Sequence, residues 1–181
     1  MCRLPAALVL ALVACPVHTF VGEPAMTANG DLPRQLTSFV GREATVAAVA
    51  DQLGRDRLVT LSGPGGCGKT RLALEVAHQV AGARPGGTFF VDLSGLSDPT
   101  LVPTAVLRSL GLREVPGLDP AESLAARLAK RQLLLLLDSC EHLVGSCAQL
   151  TSALLLRCPG VRVLATSREP LGAAGEVVVP L

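Results

Sequence analysis

Apolar residues along this chain fall into short dense runs, and between the runs they recur at every third or fourth position. The dense runs are Arg57–Ser62, Thr88–Leu93, Leu133–Leu137, Val161–Thr166 and Val177–Leu181. Each is five or six residues long, and most are rich in β-branched or aromatic side chains and bounded by polar or Gly/Pro punctuation, which predicts strands. Leu133–Leu137 is five leucines ended by Asp138; leucine alone favours helix, but a run this short after a helix reads as a strand buried on both faces. The helical spacing covers Glu43–Leu53, Lys69–Val80, Thr100–Leu110, a stretch starting at Pro120, and His142–Arg157. Asp119 caps the fourth of these with Pro120 at its first position, and Cys158-Pro159-Gly160 stops the fifth. Strands alternating with helices predict an α/β fold: a doubly wound, mostly parallel sheet of about five strands in three αβα layers, with ligands at the strand C-terminal ends.

Length and composition narrow this picture. The chain has 181 residues, enough for one compact domain. Charged residues make up 17%, the net charge is +1, and the 16 basic residues are dispersed among 15 acidic ones. This segment therefore carries no electrostatic footprint for direct nucleic-acid binding. Aromatic residues are 2% of the chain, too few for a base-stacking platform. The six cysteines form no CxxC pair and no zinc spacing, and read as reduced thiols of an intracellular protein.

Residues 1–28 are set apart as a leader. Leu4–Ala14 is an apolar stretch after Arg3, and Leu12-Val13-Ala14-Cys15 has the form of a lipoprotein signal; it is too short to span a bilayer. On its own it argues for export. The chain restarts at Met26, however, and the chemistry that follows needs cytoplasmic ATP. The expectation is an over-extended start outside the fold, a folded domain over 29–181, and a cytoplasmic location.

The chemistry begins at Gly63-Pro64-Gly65-Gly66-Cys67-Gly68-Lys69-Thr70, a complete G-x-x-x-x-G-K-[ST] phosphate loop between a predicted strand and a predicted helix. Glycines allow consecutive backbone N–H groups to turn around phosphates, and the helix start adds its positive dipole end. Lys69 is then placed for the β/γ oxygens and the Thr70 hydroxyl for Mg²⁺. Lysine is scarce: only Lys69 and Lys130 occur among the 16 basic residues, so a compact ammonium stands where the loop needs one. Cys67, inside the loop and close to a helix N-terminus, is the candidate reactive thiol.

Asp138, at the end of a strand expected beside the loop, is the candidate second Mg²⁺ acid. Residue 139 is Ser, not a second acid, which leaves Glu141 as the nearest group to orient an attacking water. Thr166-Ser167-Arg168 ends the next strand and offers a hydroxyl and a guanidinium to a γ-phosphate.

Four segments together carry a resemblance: Leu32–Glu43, Leu61–Ala73, Leu136–His142 and Ala165–Leu171. In this order they resemble the nucleotide-binding domain of STAND-class signalling ATPases, in the NB-ARC-like branch of actinobacterial transcriptional regulators. The resemblance spans about residues 31–181. It implies a P-loop NTPase fold and ATP/ADP with Mg²⁺ as ligands. Val40, Gly41 and Arg42 would line the adenine pocket, and the loop from Gly63 through Arg71 would hold phosphates. Asp138 would be the acid of the second motif and Arg168 the sensor of the γ-phosphate. Ser139 departs from the paired-acid form and implies slow hydrolysis. The family's helical lid, winged helix, repeat sensor and DNA-binding effector would continue from this segment or be attached to it, so partners are expected to be other domains or chains. The leading expectation is an ATP/ADP switch of low turnover. A P-loop phosphotransferase for small molecules, or an exported lipoprotein with a degenerate loop, are the alternatives.

Overall fold

The computed structural model of the chain describes residues 32–33 and 41–181. The leader and Val40 lie outside the described residues. The element order is α1 (Glu43–Arg55), β1 (Leu58–Ser62), α2 (Lys69–Val80), β2 (Thr88–Asp92), α3 (Val102–Ser109), α4 (Pro120–Leu128), β3 (Leu133–Asp138), α5 (Val144–Arg157), β4 (Val161–Ser167) and β5 (Glu176–Pro180). The five strands form one sheet in the order β2-β3-β4-β1-β5, and every neighbouring pair is parallel. The expected doubly wound parallel architecture is therefore observed.

The leucine run shows how the sequence sorts itself between layers. Side chains alternate across a strand, so Leu133, Leu135 and Leu137 enter one apolar cluster with α3, α4 and α5. Leu134 and Leu136 enter the other, with α1 and α2. All six residues of β3 are buried, which explains why the run is apolar without interruption.

Two predicted helices are interrupted at their starts. Thr100–Leu110 opens as a 3₁₀ turn at Pro99–Leu101 before α3, because Asp98 accepts a hydrogen bond from the Thr100 N–H at 2.9 Å and Pro99 fixes the first turn. His142–Arg157 is likewise preceded by a 3₁₀ turn at Cys140–His142 and broken at Leu143, whose φ is −130°. The α4 start is as expected, with Asp119 accepting from the Glu122 N–H at 2.8 Å.

The end of the sheet away from the strand C-termini is closed by backbone contacts and arginines. A Cβ on Gly160 would stand 2.4 Å from the Arg131 carbonyl oxygen, so only glycine lets the α5–β4 turn pass the start of β3. Arg162 donates to the Leu53 and Asp56 carbonyls at 2.6 and 2.7 Å, satisfying acceptors at the C-terminus of α1.

Candidate functional site

β1 ends at Ser62 and α2 starts at Lys69, so the glycine-rich loop lies at a strand C-terminus and a helix N-terminus together. Gly66 and Gly68 have φ of 78° and 90°, a conformation that L side chains rarely adopt. Gly68 is the residue from which α2 departs. Nothing lies within 4 Å of where a Gly66 Cβ would stand, which leaves that side of the loop open to a ligand.

Lys69 is buried to 9% exposure, and its ammonium donates to the Gly63 and Pro64 carbonyls at 2.7 and 2.9 Å. The charge is thus held at the loop by acceptors that a phosphate oxygen can replace. Arg42 donates to the Cys67 carbonyl at 3.0 Å, bringing the segment before α1 to the loop. Gly41 beside it donates to Glu43 Oε1 at 3.0 Å. The backbone N–H groups of Glu43 itself and then of Gly41 hold the Glu43 carboxyl below its ordinary range. Arg71 lies on the first turn of α2 and lines the same cavity as the loop.

That cavity has a volume of about 370 Å³ and is bounded by Gly65, Gly66, Gly68, Lys69 and Thr70 on one side, and by Ser139, Glu141, Thr166 and Arg168 on the other. Its size falls in the ordinary range of ligand sites. The donors that bound it fit a Mg-nucleotide: backbone N–H groups and Lys69 for phosphate, and the Thr70 hydroxyl as a hard oxygen ligand. The Asp138 carboxylate is not among the lining groups and is hydrogen-bonded to two residues that are, Thr166 and Ser139. Asp138 is 5% exposed.

Two expectations need correction. The strand carrying Asp138 is not beside the loop strand, because β4 lies between β3 and β1. Adjacency in a parallel sheet is set by the crossovers, which the order of motifs along the chain does not reveal. The second correction follows from the first. Thr166, at the end of that intervening β4, does not present its hydroxyl to the cavity as a free group. It donates to Asp138 Oδ1 at 2.6 Å and accepts from the Ser139 N–H at 3.0 Å.

Arg168 and Glu141 are brought together rather than kept apart. The Arg168 Nε lies 3.4 Å from Glu141 Oε1, with the arginine side chain 66% exposed and the glutamate 26%. The second oxygen, Oε2, is buried and has no hydrogen-bond partner among the described residues. Sequence reasoning did not single out Glu176. Its two carboxylate oxygens accept from the Leu171 and Gly172 N–H groups, both at 2.8 Å, and so tie down the loop that follows Arg168. Its position just before the last apolar run is the one signal available in the sequence.

Cys67 is half-buried, whereas Cys140, Cys147 and Cys158 are buried, and all four thiols are free. Donation of its S–H to the Cys147 sulfur, and then burial, push the Cys140 thiol up, and burial pushes Cys158 up.

The chain is similar to known proteins along most of its length. A Mycobacterium tuberculosis protein is 43% identical over 144 residues, 80% of this chain and 37% of its own. A second chain from that organism, named as an HTH-type transcriptional regulator, is 45% identical and is covered over 14% of its length. The regulatory protein AfsR of Streptomyces coelicolor is 37% identical over 60% of this chain and 13% of its own. This chain thus spans well under half the length of these relatives. Among solved structures, a signal transduction ATPase with numerous domains and a tetratricopeptide repeat sensor, from Pyrococcus horikoshii, aligns with a TM-score of 0.57 at 20% identity, over 82% of this chain and 24% of that one. The Aeropyrum pernix ORC2 protein aligns at 0.59 and 14%, over 79% of this chain and 48% of that one. These two likenesses show the fold. Residues 57–174 match the NACHT domain, and with the loop, sheet order and relatives above, the chain belongs to the NACHT family of STAND-class P-loop NTPase domains related to actinobacterial regulators.

Proposed function

We propose that this chain is an ATP/ADP-binding switch domain of a larger signalling ATPase or transcriptional regulator, with slow Mg²⁺-dependent hydrolysis. The observation that carries the reading is the single cavity onto which Lys69, Thr70, Glu141 and Arg168 all open. The N-terminus of α2 and the Lys69 ammonium bind the phosphates, and Arg42 sets the edge of the loop toward the base. Thr70 and Asp138 would hold Mg²⁺, which would supply neutralisation of phosphate charge. Arg168 reads the γ-phosphate, and Glu141 orients water. Both roles compete with the ion pair between them, and position 139 offers a hydroxyl in place of a carboxylate; slow turnover follows from both. The relatives named as regulators support a regulatory purpose, and their greater length supports other domains or chains as partners; a cytoplasmic location and DNA contact made outside this segment complete the proposal. Among the described residues, no helix is long and apolar enough to cross a membrane.

Melting of the full chain with and without Mg-ADP tests the reading. Ligand at 100 times its dissociation constant adds about 2.7 kcal/mol to the folded state, so Mg-ADP raises Tm, and Lys69→Ala removes most of the rise. A wild-type chain whose Tm ignores both Mg-ATP and Mg-ADP overturns the proposal.

A further inference from the structure

Four buried threonines in the described residues differ in how their hydroxyls are used. Those of Thr60, Thr88 and Thr151 have no hydrogen-bond partner. Thr166, 1% exposed, uses its proton on Asp138 Oδ1 at 2.6 Å and a lone pair on the Ser139 N–H at 3.0 Å. A buried hydroxyl with both functions engaged fixes its partners, because breaking either bond leaves a desolvated polar group behind. Ser139 makes the second bond significant. Its φ of 63° is the one positive value on a non-glycine among the described residues, in the left-handed region that L side chains rarely adopt. The turn that follows Asp138 is therefore held in an unfavourable conformation by a hydroxyl on the neighbouring strand. Register places that hydroxyl correctly, since Leu137 pairs with Ala165 one step earlier. Asp138 Oδ1 is thereby committed to Thr166, and Oδ2 lies 3.4 Å from the Ser139 hydroxyl, a weaker contact that leaves Oδ2 the freer oxygen.

We propose that Thr166 is a positioning residue that presents the Asp138 carboxylate in one orientation and so sets how strongly a divalent cation promotes nucleotide binding. This rests on the reading of the cavity as a Mg-nucleotide site. It departs from the role of a hydroxyl offered to phosphate, because the proton of Thr166 is already donated to Asp138. Valine has the shape of threonine without the hydroxyl, whereas serine keeps the hydroxyl and loses a methyl group.

The experiment measures binding of a fluorescent ADP analogue to the full chain, once with Mg²⁺ and once with EDTA, and takes the ratio of the two dissociation constants. Thr166→Val lowers the promotion by Mg²⁺ by about tenfold, the scale of losing a partner that orients a metal ligand, while affinity in EDTA stays within about twofold of wild type. Thr166→Ser restores the promotion. Thr60→Val, which removes an unpartnered buried hydroxyl from β1, leaves it unchanged. Direct Mn²⁺ titration of the nucleotide complex, read by electron spin resonance, follows the same order. If Thr166→Val does not fold, as judged by circular dichroism, Thr166→Cys fills the site with a weak donor and is held to the same criterion. A wild-type ratio in the folded variant overturns the role of Thr166, with the nucleotide reading intact. No nucleotide binding by wild type under either condition overturns the nucleotide reading and this proposal with it.

Discussion

Cys67 differs from its fellow thiols in what surrounds the sulfur. It is half-buried on the phosphate loop with the Lys69 ammonium 3.9 Å away, while Cys140, Cys147 and Cys158 are enclosed in the core. Brief iodoacetamide treatment followed by mass spectrometry is therefore expected to label Cys67 first among these four, and Mg-ADP to protect it. Equal labelling of Cys67 and Cys158 would refute this. Glu141 and Arg168 allow a second prediction at this scale. Asp138→Ala abolishes nucleotide turnover, and Glu141→Gln lowers turnover several-fold while nucleotide affinity stays near wild type, since a water-orienting group acts after binding. An unchanged phosphate-release rate in Glu141→Gln removes it from the mechanism. The phosphate-loop residues were legible in the sequence because one contiguous segment carries them. The pairing of Arg168 with Glu141 was not, because it joins two loops 27 positions apart that only the sheet brings together.

At the scale of elements, local signals placed most boundaries within a residue or two. The exceptions are the 3₁₀ turns before α3 and α5, where side-chain caps and the left-handed Ser139 interrupt a periodicity that apolar spacing alone carries through. Two substitutions rank the forces at element ends. Asp119→Ala removes one cap from α4 and costs about 1 kcal/mol. Gly160→Ala forces a methyl group against the Arg131 carbonyl, and displacing backbone costs about 1–3 kcal/mol. Urea unfolding of both variants checks the order; a Gly160→Ala midpoint at or above that of Asp119→Ala would show that the turn yields without strain.

For the whole molecule, the alternation of strand and helix, the complete loop motif and the double-faced leucine strand were sufficient to predict the doubly wound parallel architecture and to place the glycine-rich loop between a strand and a helix. Each is a local property: periodicity assigns a face, and a contiguous loop carries its own geometry. What the tertiary structure alone decided is the order β2-β3-β4-β1-β5. Inserting β4 between the loop strand and the Asp138 strand puts Thr166 against the carboxylate, turns Arg168 toward Glu141, and lets Glu176 anchor the loop after Arg168. These contacts span separations of 4 to 28 residues. They depend on which parallel strands become neighbours, and that is settled by how the crossovers bury the two apolar faces together, a global packing choice that no single segment encodes.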